Sequence, residues 1–187
     1  MSNSYNTQNT LLLNKLLEFY KDIDNLDKML GIINGDSKIS LRIVDWFVTN
    51  YAKKYYTTYE LKTQNNRRFK VYNDYKLKLK AYSKKRFDPF CRWDRINIPY
   101  KEDTVVQTTI GQLNFFKWAL DNEIINFIEE NFDKIEKDMN SRNSTSKRKE
   151  HAGEKSKNKT RKRREELSVS ASKSIKKEMV EIVVKFD

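Results

Sequence analysis

From Leu11 to Asn34 the chain reads LLLNKLLEFYKDIDNLDKMLGIIN. Within this stretch Leu12, Leu16, Phe19, Ile23, Leu26, Leu30 and Ile33 recur at alternating spacings of four and three, which places them on one side of a helix about six turns long. A helix with one apolar stripe needs a partner to cover it, so the stretch predicts a helical domain. Gly35 ends this helix or the short turn after it, and Asp36 or Ser37 caps the next, which carries Leu41, Val44, Phe47, Val48 and Tyr51. The regularity also suits a coiled-coil homodimer through the N-terminal helix. About three heptads are near the minimum for one, however, and the second helix follows at once, which favours packing within the chain.

Further along, aromatic and threonine-rich text predicts two extended segments, 55–61 and 67–72, joined through Gln64, Asn65 and Asn66 as a hairpin. Asn73 is then placed to cap a helix over 74–86, with Tyr75, Leu79 and Tyr82 on one face and Lys76, Lys80 and Lys84 on another. Leu77 fits neither face. Pro89 and Pro99 bias their neighbours away from helix, so the chain reads as irregular through this region. Thr109 with Gln112 forms a capping box opening a helix with Ile110, Leu113, Phe116, Trp118 and Leu120; helical text continues to Met139 after a break near Asn122. Residues 140–168 have too little apolar area to offset the entropy of ordering and read as a disordered basic arm. The last segment, 169–187, is β-prone through Met179, Val180, Ile182, Val183, Val184 and Phe186, and suits an edge strand for its own domain or a partner. The expected architecture is mainly α with a small β-hairpin, an α+β fold. A flexible N-terminus over 1–9 leads into a single helical domain over 10–139.

Composition agrees. Only 4 glycines and 2 prolines occur among 187 residues, which disfavours turn-dense all-β folds. Lys and Arg number 38 against 26 Asp and Glu, a net charge of +12 that favours polyanionic partners. The charge is uneven. Residues 1–52 carry a net −1, residues 53–95 a net +10 together with 10 of the 23 aromatic residues, residues 96–139 a net −5 and residues 140–187 a net +8.

Several chemistries are disfavoured by the inventory. A lone cysteine, Cys91, forms no intramolecular disulfide, so a reducing intracellular setting is expected. The single histidine, His151, lies in the basic tail, remote from any stable catalytic or metal site. The dispersed glycines build neither a phosphate loop nor a dinucleotide fingerprint, and no cofactor is expected. Met1 to Thr10 lacks the basic start and apolar stretch of a secretory signal, and no run of about 18 apolar residues exists to cross a membrane. Asp88 and Asp94, in the cluster from Arg86 to Arg95, are the only carboxylates there that suit a metal-dependent nuclease. Alternating charges in that cluster fit an ion-paired corner better, and no enzymatic activity is expected.

Positive charge displaces counterions from phosphates and flat rings stack on bases, and residues 53–95 combine the two. The candidate phosphate contacts are Arg67, Arg68, Lys70, Lys76, Lys80, Lys84, Lys85, Arg86, Arg92 and Arg95. The aromatic residues Tyr75, Tyr82, Phe87, Phe90 and Trp93 read individually as core. In the tail, Lys147, Arg148 and Lys149 form one cluster and Arg161, Lys162, Arg163 and Arg164 another, a spacing that fits a bipartite nuclear-import signal or an arm lying along phosphates.

Three phrases run together in a distinctive way: ISLRIVDWFVTNYAKK from Ile39 to Lys54, the text from Val71 through KAYSKKRFDPFCR ending at Arg92, and TTIGQLNFFKWA from Thr108 to Ala119. They resemble a family of small, largely uncharacterised proteins of nucleocytoplasmic large DNA viruses, over about residues 10–135. The resemblance implies a viral setting and transfers no active-site residue. The function expected is non-enzymatic, largely sequence-independent binding of viral DNA, ahead of RNA, in packaging, condensation or a virus factory. The host nucleus, the cytoplasmic factory or the virion would be its place. The alternative is a scaffolding virion protein gripping protein partners through the helical stripe and the C-terminal strand, with no membrane partner.

Overall fold

The computed structural model describes residues 3–62, 67–101, 104–152 and 177–179, with side chains for 9–62, 67–101 and 104–142. The fold is mainly helical with two small antiparallel sheets, as the sequence predicts in class. In place of one long N-terminal helix there are two, α1 (Asn3–Phe19) and α2 (Ile23–Asn34). The break follows from Asp22, whose carboxylate accepts from the Asp24 N–H at 3.1 Å and so starts a new helix before the old stripe is complete. Ile23 is consequently 45% exposed, while Leu16, Leu26, Leu30 and Ile33 stay buried. Gly35 ends α2 in the left-handed region at φ 82°, as expected of a C-terminal glycine.

The cap of the next helix is neither Asp36 nor Ser37. Ser40 accepts from the Ile43 N–H at 3.3 Å and opens α3 (Leu41–Trp46), while Ser37 Oγ is taken by the Ile39 N–H. A π-helical turn, Phe47–Tyr51, links α3 to the short α4 (Ala52–Lys54). Here the Thr49 hydroxyl donates to the Asp45 carbonyl at 2.6 Å, which an α-helix would give to the Thr49 N–H, and the ladder widens by one residue.

The hairpin forms where expected, with β1 (Thr58–Leu61) antiparallel to β2 (Arg67–Lys70) and Tyr59 opposite Phe69. Its connection through Gln64–Asn66 lies outside the described residues. Helix α5 (Val71–Arg86) starts earlier than predicted: Lys70, with no side-chain cap, precedes it, and Asn73 lies inside it. Ser83 interrupts it at φ 60°, ψ 166°, a conformation open almost only to glycine.

The text after Pro89 is not irregular throughout. β3 (Arg95–Pro99) pairs with β4 (Thr104–Thr109), and β5 (Lys177–Met179) adds to the far edge of β4, so part of the β-prone C-terminal segment joins its own domain. Ile98 and Val106 face each other in the register and are buried. Lys101 pairs with Asp27, which also accepts from the Tyr100 hydroxyl at 2.6 Å, pinning this hairpin to α2.

At the centre is α6 (Ile110–Asp121), opened by the predicted Thr109 cap, which accepts from the Gln112 N–H at 3.2 Å. Leu113, Phe115, Phe116, Trp118 and Ala119 are buried, each large side chain contributing roughly 1.5–3 kcal/mol. Tyr20 donates to the Leu113 carbonyl at 2.9 Å, and burial raises its hydroxyl pKa well above the ordinary value, so it stays a donor. The expected break falls at Asn122 and Glu123, before α7 (Ile124–Glu130). Helix α8 (Phe132–Ala152) runs on past Met139, where the sequence reading ends the folded unit; residues 153–176 and 180–187 lie outside the described part.

Candidate nucleic-acid interface

Helix α5 sorts its side chains by period. Val71 is buried, and Tyr75 and Tyr82 lean inward onto Phe87, with ring centroids 5.9 and 6.2 Å away. Phe87 in turn meets Phe115 and Trp118, and the Trp118 indole donates to Asp74 at 2.6 Å, fastening α5 on α6. Asn114 donates to the Arg86 carbonyl at 2.8 Å, supplying a partner where the end of α5 would leave one unpaired. With this inner face fixed, Lys76 and Lys80 point outward one turn apart.

An open groove of about 680 Å³ follows that outer side, lined by Tyr72, Asn73, Lys76, Leu77, Leu79 and Lys80. Leu77, which suits neither predicted face, is 65% exposed within it. Lys53 lies 5.7 Å over the Tyr72 ring and adds a cation at its edge. Sequence reasoning did not select Lys53 or Tyr72, although both stand in the basic aromatic zone; their proximity depends on α4 meeting α5, which charge counting does not reveal.

On β2, Arg67, Arg68 and Lys70 are exposed around the buried Phe69. Among the described residues, Arg67, Arg68, Lys70, Lys76, Lys80 and Lys84 form no ion pair. Lys85 differs, meeting Asp94 at 2.7 Å in an exposed pair that joins the end of α5 to the segment before β3. Arg86 is half-buried; Arg92 and Arg95 are exposed, and Arg95 donates to the Gln107 side chain at 2.7 Å. Lys147, Arg148 and Lys149 lie on α8 with side chains outside the described residues, and Arg161, Lys162, Arg163 and Arg164 fall outside them altogether.

The aromatic reading is right for Phe87, which is buried, and for Tyr75, Tyr82 and Phe90, which pack against the core. Trp93 is the exception at 75% exposure. Its immediate neighbours Arg92, Asp94 and Arg95 are charged and exposed, so they leave the indole uncovered. Tyr56, 88% exposed at φ 50°, is a second outward ring.

Of the carboxylates considered for a metal, Asp88 accepts from the Phe90 N–H at 2.8 Å and Asp94 is held by Lys85. Among the described residues no group of three or more His, Cys, Asp or Glu side chains gathers to hold a metal. Nor is any described helix long and apolar enough to cross a membrane. Cys91 is buried, with its thiol 3.5 Å from the Lys85 carbonyl.

The chain belongs to a family of unknown function, DUF7197, whose model matches residues 2–187. Among curated proteins it is similar to "Uncharacterized protein L507" of Acanthamoeba polyphaga mimivirus, 45% identical over 146 residues. That alignment covers 74% of this chain and 56% of the relative, so the chain spans about half the length of the relative it matches. The relative's source, a nucleocytoplasmic large DNA virus, agrees with the resemblance read from the three phrases. No solved structure matches.

Proposed function

We propose that the chain binds viral DNA without catalysing a reaction on it, largely independently of sequence. The contacts would come from β2 and the outer side of α5, with the basic clusters of the tail adding to them. The observation that carries this reading is the set of six cations, Arg67, Arg68, Lys70, Lys76, Lys80 and Lys84, none ion-paired among the described residues. Charges already neutralised by carboxylates release few counterions from DNA, whereas unpaired ones gain the full effect. Arg92 and Arg95 extend the surface on the far side of the Lys85–Asp94 pair. Packaging, condensation or a virus-factory process would each use such binding, in the host nucleus, the cytoplasm or the virion.

The test is a salt series with the full chain and mixed-sequence DNA. Lys76→Glu with Lys80→Glu should weaken binding and flatten the dependence of log affinity on log salt by about 0.7–0.9 per lysine. An unchanged slope would rule out this surface.

A second reading, a scaffold or homodimer gripping a protein partner through the N-terminal helices, draws on Leu11 and Ile23, both apolar and exposed. Ultracentrifugation of the parent and of Leu11→Ser, Ile23→Ser tests it. Self-association lost in the variant would favour it.

A further inference from the structure

Trp93 stands out of the fold on a segment that is fixed on both sides. Before it, Cys91 is buried and its carbonyl accepts from the Thr109 hydroxyl at 3.3 Å. After it, Asp94 adopts a left-handed backbone at φ 51° while its carboxylate meets Lys85 at 2.7 Å. One residue further, the Arg95 guanidinium is oriented by Gln107 at 2.7 Å. The indole itself meets no other ring or cation among the described residues. A large flat side chain left in water between two tethered neighbours is available for a contact that has yet to form.

The neighbours indicate the chemistry of that contact. Arg92 and Arg95 flank the ring and are exposed, so cations for phosphate stand beside a π-face for a base. Duplex DNA satisfies the cations but offers the ring little, because its bases are stacked on one another and its outer surface is phosphate and sugar. An unpaired strand presents both groups.

We propose that Trp93 is a base-stacking residue and that the surface from Arg92 to Arg95 takes single-stranded nucleic acid in preference to duplex. The inference rests on the nucleic-acid reading above and deepens it by naming the form of the ligand.

The experiment compares the full chain with Trp93→Ala and Trp93→Phe against an oligothymidylate of about 20 nucleotides and a duplex of similar length. Since the indole is exposed, replacing it should leave the fold intact, which thermal unfolding checks. Trp118 is buried and Trp46 is half-buried with its Nε1 on Asp138, so quenching on stacking reports mainly Trp93. The parent should bind the single strand more tightly, with quenched emission. Trp93→Ala should lose about tenfold in single-strand affinity together with most of the quenching, keep its duplex affinity within about twofold, and regain part of the loss as Trp93→Phe.

Equal losses on both ligands, or none on the single strand, would overturn the stacking role. If Lys76→Glu with Lys80→Glu still weakened binding in that case, the DNA reading would survive alone. A parent that bound neither ligand would overturn both. A self-association abolished by Trp93→Ala would instead assign the indole to a protein interface and overturn the inference.

Discussion

The Trp46 indole donates to Asp138 at 3.2 Å across 92 residues of chain. Lys54 and the Tyr55 hydroxyl converge on the same carboxylate, the latter at 3.0 Å, so the helices around the π-turn are tied to α8 through one acidic side chain. Arg142, one turn further along α8, lies 5.5 Å over the Trp46 ring and donates to Asn50 at 3.2 Å.

Asp138→Ala should therefore cost about 1 kcal/mol, chiefly because the half-buried Trp46 indole loses its acceptor, while the exposed Lys54 and Tyr55 turn to water. Burial tends to raise the Asp138 pKa, but hydrogen bonds from Lys54, Tyr55 and Trp46 outweigh it and hold the group below its ordinary value. A carboxyl whose pKa is lower folded than unfolded adds stability above the unfolded value. That stability is lost as pH falls through the folded one. The gap in unfolding free energy between the parent and Asp138→Asn should accordingly narrow as pH drops below the usual carboxylate range, measured by urea unfolding across pH. A gap that widened would reverse the sign.

Two caps separate what starts a helix from what merely precedes one. Thr109→Ala should lose about 1 kcal/mol, with Thr109→Ser restoring most of it. Asn73→Ala, inside α5 and exposed, should change stability by no more than about 0.5 kcal/mol. Chemical denaturation of the three variants checks both statements.

Gly111 lies where α6 approaches the segment around Cys91. A Cβ there would come within 2.8 Å of Cys91 Cβ and 3.0 Å of the Lys85 carbonyl. Gly111→Ala should destabilise by about 1–3 kcal/mol, and Cys91→Ala should not rescue it, since the nearest obstacles are not the sulfur. Thermal unfolding of the single and double variants decides it.

Ser83 pays for a backbone shape that glycine adopts freely. Ser83→Gly should raise stability by about 1 kcal/mol, whereas Ser83→Val should lower it, as melting temperatures would show.

Where local chemistry decided the structure, the sequence was readable. The Thr109 cap, the break at Asn122, the hairpin strands and the glycine end of α2 all follow from residues within a few positions of one another. The unbroken stripe from Leu12 to Ile33 misled because apolar spacing says nothing of Asp22, whose side chain offers the backbone an early exit. The second sheet escaped notice for the opposite reason. Ile96 and Ile98 alternate beside Pro99, too briefly to declare a strand alone, and one of β4's partners arrives from 177–179. In the candidate interface the cations could be named from composition. Which of them meets a carboxylate, as Lys85 does, and which ring stays outside, as Trp93 does, depends on chain segments meeting in space.

The hold on α8 has a mechanical consequence. At about 1.5 Å per residue, Arg148 stands about 15 Å along the helix from Asp138. Lys147, Arg148 and Lys149 thus lie on the continuation of a helix whose base Asp138 fastens to the domain. On the DNA-binding proposal, the cluster on α8 and the cations of α5 would be linked grips that reinforce each other by avidity, and Asp138→Ala should weaken that reinforcement without removing either set of cations.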